Sequence, residues 1–221
     1  MLSPNFGERR GGVRPNLIVL HFTAMESCGA ALQRLCDPAT DVSAHYLISE
    51  PGAVLALVAE DKRAWHAGAG AWRGVEDINS RSIGIELANS GTEPFAEPQM
   101  RALERLLAEV MARWVIPPQG VIGHSDMAPG RKADPGARFD WKRLALGGVS
   151  VWPDSTEPGP PADFIADARR FGYPAVADDQ VLAAFRLRFR PWAKGPVDAV
   201  DAGMAANLAA RFGVDARPLM T

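Results

Sequence analysis

The run GHSDMAPGRKADPG, residues 123–136, follows a short apolar pair, Val121 and Ile122, and sets His124 ten residues ahead of Asp134. A second histidine, His21, ends another apolar run, NLIVLH, residues 16–21. Both histidines therefore stand where a buried strand stops. Two imidazoles and one carboxylate suffice to hold a zinc ion and leave one coordination position for water, the layout of a catalytic rather than a structural site. If the three converge, the chain is a metal-dependent hydrolase.

Working outward, LIVL within residues 16–23 is continuously apolar, as a strand buried on both faces must be. Residues 82–87, SIGIEL, read the same way. Residues 45–49 and 54–58 flank the turn Glu50-Pro51-Gly52 and predict a hairpin. Residues 29–36 predict a short helix. Residues 97–114 carry Met100, Leu103, Leu106, Leu107, Val110, Met111 and Trp114 at helical spacing, with charges opposite. Residues 139–146 predict a last helix of this unit. Strands alternate with helices, so the expected fold class is α/β, a central mixed sheet flanked by helices. In such sheets, ligand and catalytic groups gather at strand ends.

Composition narrows the function. With 221 residues and 47% hydrophobic side chains, the chain can form a sizeable core. A net charge of −2 shows no basic excess, so a nucleic-acid partner is not expected. The two cysteines, Cys28 and Cys36, make no disulfide framework and lack CxxC spacing; free thiols are expected. No apolar run has the ~18 residues of a membrane span. The N-terminus carries no apolar stretch of signal-peptide length. The expected location is cytoplasmic, with a periplasmic or outer-membrane-associated one as the alternative if a leader has been removed.

The composition changes at Trp152. Residues 151–162 are rich in proline and glycine, as a linker is. Three short amphipathic segments follow, marked by Ile165, Ala168 and Phe171, then by Val181, Leu182, Phe185 and Phe189, then by Met204, Leu208 and Phe212. The expected division is a catalytic domain over 1–150, a linker over 151–162, and a small three-helix domain over 163–221, near the lower size limit for independent folding.

A hydrolytic metal site also needs a base and a positive group for the oxyanion. Glu86 is the candidate base, a carboxylate inside an apolar strand, where a charge is costly without work or a partner. Lys132 precedes Asp134 by two residues; in an extended stretch both point the same way. Other readings stay open at this point. His21 is equally a hydrogen-bonded core residue, Glu86 an interior partner of Arg81 or Lys132, and Asp134, before Pro135, the start of a turn.

The stretches IVLHFTA, VSAHYLI, DKRAWHAGAGAWRG, INSRSIGIELAN and GHSDMAPGRKADPGARFDW occur in order and span most of residues 16–146. In this they resemble the N-acetylmuramoyl-L-alanine amidases of the AmpD and AmiD type, the amidase-2 group related to phage T7 lysozyme and the peptidoglycan-recognition proteins. The resemblance implies one catalytic zinc ion on His21, His124 and Asp134, with Glu86 managing the proton and Lys132 facing the oxyanion. It adds Tyr46 as a second catalytic candidate and treats His45 as structural. Trp65 and His66 would line the substrate groove, although Trp65 also reads as core. Phe22, Thr23, Asn79 and Ser125 are further substrate-contact candidates. The implied partners are muropeptides and other peptidoglycan fragments; oligomeric state is left open, a monomer being compatible. The segment between His21 and the SAH strand is shorter than in AmpD proper, and residues 178–212 resemble a peptidoglycan-binding-like helical domain; both features match the AmiD-like branch. The implied reaction is hydrolysis of the amide between N-acetylmuramic acid, or its 1,6-anhydro form, and L-alanine of the stem peptide. A non-catalytic muropeptide-recognition module, and an adaptor that uses its C-terminal helices, are the competing readings.

Overall fold

The computed structural model describes residues 2–214, so the last seven positions of the expected 163–221 unit lie outside the described residues. In chain order the strands and helices are β1 (Phe6–Glu8), β2 (Leu17–Phe22), α1 (Cys28–Cys36), β3 (Tyr46–Ile48), β4 (Val54–Ala56), β5 (Lys62–Ala64), α2 (Ile78–Arg81) and β6 (Ser82–Leu87). Then come α3 (Glu97–Trp114), β7 (Val121–Gly123), α4 (His124–Met127), α5 (Trp141–Leu146), α6 (Phe164–Phe171), α7 (Asp178–Phe189) and α8 (Ala199–Phe212). Five strands form one sheet in the order β4-β3-β6-β2-β7, in which β2 runs parallel to β6 and β7, β3 parallel to β6, and β4 antiparallel at the edge. The mixed α/β sheet expected from the alternation is present. β1 and β5 form a separate antiparallel pair that the sequence reading did not anticipate.

Sheet parity sorts the side chains into two faces. Ile18, Leu20, Ile83 and Ile85 point to one side, where α3 and α5 cover them through Leu103, Leu107, Val110 and Leu144. α3 has Glu97 in its first turn and a proline at its start, both suited to a helix N-terminus. It ends where Val115 turns left-handed at φ 57° and returns its N–H to Met111 O.

Leu17, Val19 and His21 point to the other face, with Glu86 and Leu47 in register beside His21. Two separate groups cover this face. α1 packs on Leu47 through Ala31 and Leu35. At the far side, Leu17, Val19 and Ile122 share one apolar cluster with Phe164, Phe171, Phe185 and Phe189 of the C-terminal helices. Trp72 lies in the same cluster, edge-on to Phe171 and Tyr173. The C-terminal helices thus form a layer on the sheet. Among the described residues no helix is long and apolar enough to cross a membrane. Cys28 and Cys36, at the two ends of α1, are both free.

Candidate metal centre

His21 sits near the C-terminal end of β2, paired in register with Glu86 of β6. β7 runs alongside β2 with Gly123 opposite Leu20, so His124, the next residue, emerges beside His21. Asp134 returns to this place because Ser125 N donates to Asp134 O at 2.9 Å. The outcome is a triangle: His21 Nδ1 to His124 Nδ1 is 2.9 Å, His21 Nδ1 to Asp134 Oδ2 is 2.9 Å, and His124 Nδ1 to Asp134 Oδ2 is 3.0 Å. Both histidines are buried, at 1% and 3% exposure.

Hydrogen bonds around the triangle fix which atoms carry protons. Ser82 Oγ donates its one proton to Ile78 O at 2.6 Å. Its contact with His66 Nε2, at 3.1 Å, is therefore a bond donated by the imidazole. Burial holds His66 well below the ordinary histidine range, so its ring is neutral and Nδ1 is bare. That atom accepts from His21 Nε2–H at 3.0 Å. Burial, and then the neighbouring His124, bring His21 down to about 4, which leaves its Nδ1 bare as well. His124 Nε2 lies 2.8 Å from Ala67 O, which orients the ring so that Nδ1 faces His21 and Asp134. Two imidazole nitrogens and one carboxylate oxygen thus converge within 3.0 Å of one another, a donor set that a cation suits. Among the described residues this is the one group with metal-ligand donors so placed. Tetrahedral zinc bonds of about 2.0–2.1 Å space their ligand atoms about 3.3 Å apart, within a few tenths of an ångström of this triangle. The donor set of two nitrogens and one oxygen suits that ion.

The triangle opens on a cleft of about 270 Å³. Glu86, Lys132, Phe22, Thr23, Trp65 and His66 line it, together with Arg34 and Leu35 of α1. Glu86 Oε2 is buried and has no hydrogen-bond partner among the described residues. Burial first, then the negative Asp134, push this carboxyl well above the usual carboxylate range, while Lys132 acts the other way. Lys132 reaches the cleft by a different route from the extended stretch expected: its N–H closes a turn onto Ala128 O at 3.0 Å.

Three sequence candidates fall elsewhere. Tyr46 pairs with Ile85 rather than Glu86, which sends it to the opposite sheet face. There its hydroxyl donates to Glu60 Oε1 at 2.6 Å, and Arg113 and Trp114 bind the same carboxylate. The catalytic expectation for Tyr46 is not met. Asn79 is buried outside the cleft, where its Oδ1 accepts from His66 N and Ala67 N and so shapes the loop that carries His66. Ser125 is buried and serves through its backbone. His45 is structural, as expected: its Nδ1 accepts from Gly84 N and its Nε2–H donates to Lys62 O. Arg131 was missed. It donates to Ala67 O at 2.6 Å, the carbonyl that also orients His124, and nothing in the sequence distinguishes it from a surface arginine.

Gly84 lets His66 approach. A Cβ at this strand position would lie 2.4 Å from the imidazole ring, below any real contact. Gly84→Ala is expected to displace His66, release the His21 tautomer and weaken metal binding by about 10–100-fold, the usual result of losing such a supporting partner. A chelator-competition titration of the folded variant checks this; unchanged affinity would rule the relay out.

The family model described as N-acetylmuramoyl-L-alanine amidase matches residues 11–137, which include all three converging donors. The chain is 35% identical to the N-acetylmuramoyl-L-alanine amidase AmiD of Escherichia coli strain K12, over 91% of this chain and 85% of that one. The structure of the E. coli AmiD complex with anhydro-N-acetylmuramic acid-L-Ala-D-gamma-Glu-L-Lys superposes with a TM-score of 0.83 at 32% identity, covering 96% of this chain and 100% of that one. AmpDh3 of Pseudomonas aeruginosa in complex with anhydromuramic pentapeptide gives 0.83 at 33% identity over 93% and 95%. Likeness of this extent, through the sheet and the C-terminal helices alike, places the chain in the N-acetylmuramoyl-L-alanine amidase family.

Proposed function

We propose that this chain is a zinc amidase that hydrolyses the amide between N-acetylmuramic acid, including its 1,6-anhydro form, and L-alanine of a peptidoglycan stem peptide. The observation that carries the reading is the set of three converging metal-ligand donors sharing one cleft with Glu86 and Lys132. The relatives named above support the substrate class.

In this reading His21, His124 and Asp134 hold the ion, which when bound polarises the lactyl carbonyl and lowers the pKa of the attacking water. Glu86 accepts the water's proton at Oε2, an atom with no hydrogen-bond partner among the described residues. As the water oxygen bonds to the carbonyl carbon, negative charge grows on the carbonyl oxygen, and the Lys132 ammonium on the cleft wall stabilises it. Glu86 then returns the proton to the alanine nitrogen as the carbon–nitrogen bond breaks, and the peptide leaves as an amine. Trp65 offers a ring face to a sugar or to the apolar edge of the peptide. We further assign the catalytic part to residues 1–150, the linker to 151–162 and the C-terminal part to 163–221, helical over its described residues. A non-catalytic recognition module would lack a ligand or the base, and each is present.

Mass-spectrometric analysis of products from anhydro- and ordinary muropeptides tests the function. Peptides that begin at L-alanine, together with free sugar, are expected without chelator, are lost with it, and return on adding Zn²⁺. Intact muropeptide after incubation with the zinc-loaded protein would exclude the proposed activity.

A further inference from the structure

We propose that Arg188 and Tyr173 are positioning residues for the metal centre, so that the C-terminal helices set how tightly it holds its ion. The inference rests on the metal reading above. Its basis is the anchoring of α4. This four-residue helix begins with His124, and Ser125 in it holds the backbone of Asp134. Two of the three donors therefore ride on α4, while His21 is fixed within the sheet. A single helical turn cannot hold itself in place.

Its anchor is Asp126, which is 0% exposed. Asp126 Oδ2 accepts from Gly123 N at 2.8 Å and from Arg188 Nη1 at 2.7 Å, and Oδ1 accepts from Tyr173 OH at 2.7 Å. Two of these three donors come from the C-terminal part: Tyr173 follows α6 and Arg188 lies in α7. Arg188 is itself buried, at 2% exposure. Its guanidinium also donates to Val121 O and Ser150 Oγ and lies 4.2 Å over the Trp141 ring. One side chain thus ties the start of β7, the turn carrying His124 and the α5 face together. Without it the buried Asp126 loses its one cationic partner among the described residues and keeps only Gly123 N and Tyr173 OH, which loosens the seat of α4. Functional donors need holding to about 0.5 Å.

A matched control exists in the same helix. Arg186 forms a comparably buried pair with Asp201 of α8 and donates to Gly195 O and Pro196 O, with no hydrogen bond to α4 among the described residues. Zn²⁺ is titrated into wild type, R188M, R188K, Y173F and R186M against a chromophoric chelator, and Co²⁺ spectra report coordination geometry. R188M is expected to bind Zn²⁺ about 10–100-fold more weakly with a shifted Co²⁺ spectrum. R188K is expected to fall between R188M and wild type, and Y173F to show a smaller loss in the same direction. R186M is expected to melt earlier yet keep wild-type metal affinity. A folded R188M with wild-type affinity and spectrum overturns the proposal; if R188M does not fold, unchanged affinity in Y173F does so. Equal weakening in R186M and R188M also overturns it, because loss of any buried pair would then suffice. A wild-type protein that binds no Zn²⁺ overturns the metal reading instead.

Discussion

Glu86→Gln is expected to lower kcat on an anhydro-muropeptide by about 10²–10⁴-fold, the usual contribution of a positioned acid–base group, with little change in zinc content. The amide keeps the shape and loses the proton acceptor. The same substitution is expected to raise the melting temperature of the metal-free protein at neutral pH. The sign follows from burial: a carboxyl whose folded-state pKa is raised contributes stability that is complete below its unfolded value and lost as pH rises through the folded one. At pH 7 the unpartnered Glu86 therefore burdens the metal-free fold, and Gln removes the titrating charge. Thermal melts at pH 5 and pH 8 check this, the gain from the substitution being larger at pH 8. A variant that turns over like wild type would remove Glu86 from the mechanism. One that loses activity without gaining stability would point to a hydrogen-bond partner for Oε2.

Asp134→Ala is expected to have the other large effect. It removes one of three ligands, so the loss in zinc affinity should exceed the about 10–100-fold that an outer partner costs, and activity should fall to background at micromolar zinc. Stability provides an independent readout. A ligand that binds only the folded state at 100 times its Kd stabilises by about 2.7 kcal/mol, so wild type is expected to melt higher with added Zn²⁺ and the variant to be indifferent to it. A zinc-dependent melting shift retained in Asp134→Ala would show that the ion is held elsewhere.

Much of this architecture is legible in the chain. SIGIEL matches β6 residue for residue, and the periodic run at 97–114 is α3. Long apolar patterns are legible because burial itself writes them. Several short elements are not: β1 and β5 have three residues each and α2 and α4 four, with neither an apolar run nor turn residues to mark them, unlike the equally short β3, β4 and β7. The three metal donors are legible as residue types at strand ends. Tyr46 is not, because its face depends on whether it pairs with Ile85 or Glu86, and a slip of one residue reverses every side chain. Arg188 and Asp126 are the hardest to foresee. Two arginines in an amphipathic helix read as solvent-facing, yet α7 buries both Arg186 and Arg188.

The residues lining the cleft are backed by different apolar clusters. Arg34 and Leu35 stand on α1, whose apolar contacts run to Leu47, Ala44 and Leu57. On either side of His124, Ile122 and Met127 belong instead to a cluster that includes the C-terminal phenylalanines. Changes in separate clusters act nearly independently. A change at Arg34 is therefore expected to reshape the cleft while leaving the packing behind His124 and Asp134 in place.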